Sequence, residues 1–490
     1  MLTDIVERAH RAYVATRDAT PVDRAAWLEA IASALESASD ELVPLADSET
    51  HLGAARLAGE LVRTVFQLRL LAEEISAGTH WDAVIDHADA DWGMGPRPDI
   101  RRINEPLGAV GVFGASNFPF AFSVMGGDSA SALAAGCAVV HKAHSGHLGL
   151  ARRTGEIVVE ALQSAGAPAG LFSVVEGRSA GTELVDHPLV KAVGFTGSTA
   201  GGRALFDRAV ARPEPIPFYG ELGSTNPVFV TERAWSSRRS QILQGFIGSV
   251  SVGMGQFCTK PGFLIVPASD IGDLTAQLQS AAAAVGSHSL LTPRLRDSFD
   301  GSLDDLVNSP GFELVIGGRT DRDVPAITIL RTDSEAILAS PNVLQHEMFG
   351  PASVIVEYRS SADLLRLAAL LEGQLTSTIH AEPEEDLTEL ILILRAASGR
   401  VLWNGWPTGV TVSYAQNHGG PYPATTSPSA TSVGTAAIGR FMRPVAYQGF
   451  PQSQLPPGLR DDNPWRIPRR VDGRTVDTVA PGILGNDQGT

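Results

Sequence analysis

GAVGVFG at 108–114, CAVVHKA at 137–143, LFSVVEG at 171–177 and KAVGFTGS at 191–198 are four short apolar runs with helix-like segments between them. Each run is the length of a buried strand. Strand and helix alternating in this way make β-α-β units around a parallel sheet. Ligands of such sheets sit beyond the carboxyl ends of the strands. Here those ends are Gly114 to Asn117, Lys142 to His144, Glu176 to Arg178 and Thr196 to Ser198.

Upstream, Thr20-Pro21-Val22-Asp23 offers an N-cap, a first-turn proline and a first-turn acid. Trp27, Ile31 and Leu35 follow at one-turn spacing, so helix is expected to about Ser76. The irregular stretch WDAVIDHADADWGMGPRPDIRRINEP at 81–106 reads as an excursion from the domain body, a hairpin in form. A helix is expected from Phe122 to Ala135. From Pro227 to about Pro423 a second alternating region contains FLIVPA, SVIVEY and VLWNGW as strands. The tail from Arg440 is rich in proline and charge, yet its aromatic residues need burial against a neighbouring domain or subunit.

A chain of 490 residues with 43% apolar residues fills two or three cores. A formal charge of −16 leaves no basic face for a run of phosphates, which argues against nucleic acid as partner. Two cysteines make no disulfide framework and suit a reducing compartment; with no export signal visible at MLTDIVERAH, the cytoplasm is expected. Pro106 to Gly127 carries no charge, but its glycines and Pro119 make it a buried strand and turn, not a membrane span.

Three residues stand out chemically. Cys258 lies in GQFCTKPG at 255–262, between glycines and before a proline, as an accessible thiol on a loop would. Glu221 in FYGELGSTNP is a carboxylate between glycines at the end of the first alternating region, suited to a general base if buried. Asn117 in FGASNFPF carries an amide, which donates to an oxyanion without changing charge. Taken singly, each also has an ordinary reading as exposed thiol, loop acid or turn residue. His141, His144 and His147 are spaced three apart in a strand-to-loop segment, which does not align them for a metal; Cys137 reads as a small core side chain.

SNFPF at 116–120, HKAHSGH at 141–147, VGFTGST at 193–199, ELGSTNP at 221–227, GQFCTKPG and EMFGP at 347–351 together resemble the aldehyde dehydrogenase superfamily, in its order and over most of the chain. Within it, FCTKPG and the stretch HGGPYPATTSPSATSVGTAAIGRFMRPVAYQGFP at 418–451 are similar to the α-ketoglutaric semialdehyde dehydrogenases. The resemblance implies an α/β fold with a Rossmann-like cofactor domain (1–82 and 104–222), an α/β catalytic domain (223–432) and an oligomerisation element (83–103 and 433–490). It implies oxidation of an aldehyde to a carboxylic acid through a cysteine thiohemiacetal and thioester, in a homodimer or homotetramer. Cys258 is then the nucleophile, Asn117 the oxyanion donor and Glu221 the base.

The resemblance also places a nicotinamide cofactor against Lys142, His144, Ser145, Arg178, Thr196, Gly197, Ser198, Glu347 and Phe349. His144 stands where NAD-preferring members commonly carry a glutamate, which leaves room for a 2′-phosphate, so NADP is expected, with NAD possible. No metal is expected. Phe118, Phe257 and Trp406 are candidates to line the aldehyde tunnel, and Arg101, Arg102 or Arg443 to meet a carboxylate; taken singly, the first reading of each is an ordinary core or surface residue. ELGS replaces the usual Glu-Leu-Gly-Gly, and His346 replaces an acid before Glu347. Competing readings are a dehydrogenase of another semialdehyde or of a long-chain aldehyde, a CoA-dependent acylating enzyme, a cysteine hydrolase, or a family member that only binds.

Overall fold

A computed structural model describes residues 2–268, 271–320 and 322–476. Residues 477–490, part of the expected oligomerisation element, lie outside it. The chain begins with four helices, α1 (Leu2–Ala15), α2 (Pro21–Ser37), α3 (Ser39–Thr50) and α4 (Ala54–Ala77). Thr20 and Asp23 close a reciprocal capping box at the start of α2, which ties down two otherwise orphaned N–H groups. Strands β1 (Ala83–Asp86) and β2 (Ile100–Pro106) pair antiparallel, so the excursion is a hairpin.

The first parallel sheet comprises β3 (Ala109–Phe113), β4 (Ala138–Lys142), β5 (Phe172–Val175), β6 (Val190–Thr196) and β7 (Phe218–Glu221), in the order β5-β4-β3-β6-β7. Helices α5 (Gly127–Ala135), α6 (Leu148–Ser164), α7 (Arg178–Asp186) and α8 (Thr199–Val210) connect these strands. β3 is buried along its whole length, as a strand covered on both faces must be. Strand order reverses beside β3, and the crevice between the ends of β3 and β6 is the switch point where such sheets bind ligands. The helix expected from Phe122 begins only at Gly127. A Cβ on Gly126 would stand 2.4 Å from the Ala121 carbonyl oxygen, so the chain is folded back on itself there.

After β8 (Val228–Val230) and α9 (Glu232–Ser251), a second sheet takes β8, β9 (Phe263–Pro267), β10 (Glu313–Ile316), β11 (Thr328–Asp333), β12 (Ala352–Tyr358), β13 (Gln374–His380) and β14 (Ser398–Trp403). Its order is β10-β11-β12-β9-β8-β13-β14. The segment after β14 returns to the first sheet: Leu222 N–H bonds the Ala424 carbonyl at 2.8 Å, and Thr426 N–H the Gly220 carbonyl at 3.0 Å. The tail then joins the hairpin, with β15 (Met442–Gln448) antiparallel to β2, β16 (Arg469–Val471) parallel to β1, and β17 (Arg474–Val476) at the edge. No described helix is long and apolar enough to cross a membrane.

Candidate active site

The thiol loop follows α9 through three successive residues with positive φ, Gly253, Met254 and Gly255. Gly255 is required twice over: its φ is +67°, and a Cβ there would stand 2.0 Å from the Gly350 carbonyl oxygen. Asn226 then clamps the loop, its Nδ2 donating to the carbonyls of Cys258 at 2.8 Å and Lys260 at 3.0 Å. Lys260 turns away from the thiol and donates to Met348 O and Ala352 O at 2.8 and 2.6 Å; burial pulls it down to about 8. The departure at Ser224 is structural in effect, since its hydroxyl joins Asn226 and Gln374, each at 2.9 Å.

Glu221 is the last residue of β7 and is 3% exposed. Its Oε1 lies 2.8 Å from His418 Nε2, and its Oε2 accepts from Ser432 Oγ at 2.9 Å. His418 Nε2 is also 3.6 Å from Cys258 Sγ. These three ligand atoms lie within 4.8 Å of one another. An ionised carboxylate only accepts, so the proton between Glu221 and His418 sits on Nε2. Nitrogen so occupied cannot also take the thiol proton.

Burial pushes the Cys258 thiol well above its ordinary range, and the neighbouring Glu221 charge adds to this. Burial works on Glu221 in the same direction. There His418 opposes it, with help from Ser432 and the thiol, and holds the carboxylate below its usual range. The resting state is therefore a protonated thiol beside an ionised base. Asn117, 8% exposed, closes the site: its Nδ2 donates to Gln256 O at 2.9 Å, which fixes the amide beside the thiol loop and leaves a second N–H. A cavity of about 20 Å³ behind Glu221 and His418, reaching Thr431 and Ser432, has room for one water.

His418 carried no signal of its own in the sequence. It opens the distinctive stretch at 418–451, but a lone histidine in a coil has no periodicity to place it, and the returning segment brings it to β7. Trp406 and the arginines keep their ordinary readings. Trp406 packs on His380 and Phe246, ring centroids 4.8 and 6.2 Å away, beneath α9 instead of in a tunnel. Arg101 is bonded to Asp99 and Asp461, and Arg102 to Asp82, in the hairpin sheet that also holds Arg443 on β15. Phe118 and Phe257 do meet, edge to face at 4.9 Å, next to Cys258 and Asn117 in the chain.

The expected cofactor contacts lie along the ends of the first sheet. Lys142 ends β4, exposed Ser145 follows it, and exposed Arg178 opens α7 beyond β5, the strand paired with β4. His144 is largely covered, accepts from Gly146 N at 3.1 Å and is pulled down to about 3 by burial. Thr196 ends β6, and Gly197 and Ser198 lead into the open N-terminus of α8, where backbone N–H groups favour phosphate. Gly223 forms a cradle, since a Cβ there would meet Glu347 Oε2 at 2.7 Å and Thr199 Oγ1 at 2.8 Å. Burial raises Glu347 to about 7, and its charge reaches Cys258. Phe349, half-buried, follows on the same turn, while His346 points instead to Ser302 O at 2.9 Å. A basic strand end, an open helix N-terminus and a half-buried acid near the thiol fit a nicotinamide dinucleotide laid across the sheet.

The model of the aldehyde dehydrogenase family matches residues 2–422. Over 475 residues the chain is 44% identical to alpha-ketoglutaric semialdehyde dehydrogenase 2 of Azospirillum brasilense, covering 96% of this chain and 90% of that one. It is 43% identical over 474 residues to the alpha-ketoglutaric semialdehyde dehydrogenase of Acinetobacter baylyi, covering 95% and 90%. Glyceraldehyde-3-phosphate dehydrogenase of Methanocaldococcus jannaschii, solved with NADP, superposes with a TM-score of 0.77 at 19% identity over 91% of this chain and 93% of that one. Aldehyde dehydrogenase C of Pseudomonas syringae, solved with NAD+ and octanal, gives 0.74 at 18% identity over 93% and 90%.

Proposed function

This chain belongs to the aldehyde dehydrogenase family, and on that premise we propose that Cys258, Glu221 and Asn117 oxidise α-ketoglutaric semialdehyde to α-ketoglutarate. Glu221 withdraws the thiol proton, and the sulfur bonds to the aldehyde carbon to give a thiohemiacetal. The resulting oxyanion is met by the Asn117 amide and the Cys258 backbone N–H. Collapse expels hydride and leaves a thioester on Cys258. The nicotinamide cofactor, when bound, accepts that hydride. Glu221 releases the thiol proton to solvent and then takes a proton from water, whose oxygen attacks the thioester; the acid leaves, and Glu221 returns that proton to the departing sulfur to restore the thiol. His418 touches the sulfur, favours the ionised form of Glu221 before each proton is taken, and orients it. A water-activating base next to the sulfur argues against transfer to CoA, which water would pre-empt.

The observation that carries the reaction is the half-buried thiol in reach of an ionised, doubly hydrogen-bonded carboxylate. The substrate rests on the two relatives similar over nearly the whole chain. We assign residues 1–82 and 104–222 to cofactor binding, 223–432 to catalysis and 83–103 with 433–490 to assembly of a cytoplasmic homodimer or homotetramer. NADP is the proposed cofactor, with Lys142, Ser145 and Arg178 around its 2′-phosphate. An apolar aldehyde is the second reading, favoured by the rings of Phe118 and Phe257.

Formation of reduced nicotinamide by wild type and Cys258→Ala tests the reading, with NADP or NAD and with α-ketoglutaric semialdehyde, succinic semialdehyde or octanal. Turnover that needs Cys258 and favours α-ketoglutaric semialdehyde is expected. Equal turnover by the alanine variant would refute the mechanism, and preference for octanal would refute the substrate.

A further inference from the structure

Arg56, Glu60 and Arg63 share one face of α4, at positions i, i+4 and i+7. Arg56 lies over the rings of Phe118 and Phe257, 5.2 and 5.0 Å from their centroids, and its Nη2 donates to the Asn117 carbonyl at 2.8 Å. Arg63 lies 5.3 Å over Phe122, with its Nε 3.4 Å from Val410 O. The Phe122 ring is in turn 6.0 Å from that of His418. Both guanidiniums are thus stacked on the aromatic residues that surround the thiol, and the charges of Cys258 and Glu221 reach Arg63.

Their hydrogen-bonding edges are another matter. Arg56 Nη1 and both Arg63 Nη1 and Nη2 are buried without any partner. Stacking engages the flat face of a guanidinium with the ring; it does not satisfy the N–H groups in its plane. Glu60 does not satisfy them either: its Oε1 accepts from Phe120 N and Ala121 N at 2.8 and 3.0 Å, and its Oε2 is itself buried without a partner. On this helix face one carboxylate stands against two guanidiniums, while the ionised Glu221 reaches Arg63 from β7. Buried guanidinium donors without acceptors, in a ring-lined place beside the nucleophile, are the complement of a small anion.

We propose that Arg56 and Arg63 form the subsite for the carboxylate at the far end of the substrate. The proposal rests on the acid-semialdehyde reading of the function. With the aldehyde carbon at Cys258, the carboxylate takes the unpaired N–H groups, and the phenylalanines keep water from competing. A neutral aldehyde of equal length would leave those donors unpaired, which is the strongest kind of rejection a binding site has. The same feature explains why apolar walls need not mean an apolar substrate.

The test compares kcat/KM for α-ketoglutaric semialdehyde and for pentanal, with NADP, in wild type, Arg63→Met, Arg63→Lys and Arg56→Met. Binding of α-ketoglutarate to the NADP-loaded enzyme is measured alongside by calorimetry. The acid-to-neutral ratio is expected to fall at least thirtyfold in Arg63→Met and to recover in part in Arg63→Lys, which keeps charge without the fork. The dissociation constant of α-ketoglutarate should rise at least tenfold in Arg63→Met. A ratio within threefold of wild type in both methionine variants, or a loss shared equally by both substrates, overturns the subsite. If Arg63→Met does not fold, Arg56→Met and Arg63→Lys decide by the same ratio. Failure of the substrate reading shows elsewhere, as a wild type that prefers pentanal.

Discussion

Replacing His418 by glutamine and by alanine separates a base from a residue that holds a base. The Nε2–H to Glu221 bond is 2.8 Å long between side chains 1% and 3% exposed. A hydrogen bond to a charged partner contributes about 1.5–3 kcal/mol, and about 1.4 kcal/mol moves a pKa by one unit. Burial already pulls the Glu221 pKa upward, and His418 is the chief opponent of that pull. Removing it therefore raises the pKa by about 1–2 units, with the Ser432 bond retained. Glu221 works as a base only when ionised, so activity is present above this pKa and lost below it. The acid limb of kcat against pH should move to higher pH by about 1–2 units in His418→Ala, and by less in His418→Gln, which retains an N–H. Steady-state formation of reduced nicotinamide at saturating aldehyde and NADP gives the limb. An acid limb in His418→Ala that coincides with wild type, in protein of unchanged melting temperature, refutes the reasoning.

Asn117→Ala removes a donor to the oxyanion and should lower kcat by roughly 10²–10³, the loss expected for one such donor; a fall of less than tenfold in single-turnover hydride transfer would count against that role. Cys137 is fully buried, while Cys258 is half-buried with the Glu221 carboxylate beside it to take its proton, so iodoacetamide should label one thiol per native chain, at Cys258, and a second only after unfolding. Mass spectrometry that finds both labelled in the folded protein contradicts this. Burial raises Glu347 to about 7, so its ionisation works against the fold as pH climbs from the ordinary glutamate range through 7. The melting temperature of Glu347→Gln minus that of wild type should become more positive between pH 5 and pH 8.5, and a flat difference refutes it. Arg178→Ala should lower the NADP-to-NAD preference by about tenfold, one charge contact to phosphate, as measured by cofactor dissociation constants; an unchanged ratio removes Arg178 from the phosphate site.

Strands β3, β4, β5 and β6 of the first sheet and β9, β12 and β14 of the second were legible because each is a short apolar run between turn residues; β7, β8, β10, β11 and β13 went unread. Glu221 and Asn117 were legible because they sit at strand ends, where an α/β sheet brings its loops together, and Cys258 because glycines flank it. The helix expected from Phe122 shows the limit of that reasoning: local composition is helical there, but the contact of Gly126 with the Ala121 carbonyl is decided by the fold-back of the chain. His418 lies 160 residues from the thiol it touches, in a coil without period, and its position follows from backbone bonds such as Leu222 N–H to Ala424 O. Arg56 and Arg63 were hidden for the opposite reason. They sit on a regular amphipathic helix where arginine is the ordinary solvent-facing choice, and sequence alone does not say that one part of the polar face is roofed by phenylalanines. Arg101 and Arg102 drew attention as charges that could meet a carboxylate, yet each had an aspartate waiting beside it. A charge is informative in proportion to what it lacks in the folded state, and that is a property of the partners, which only the tertiary structure supplies.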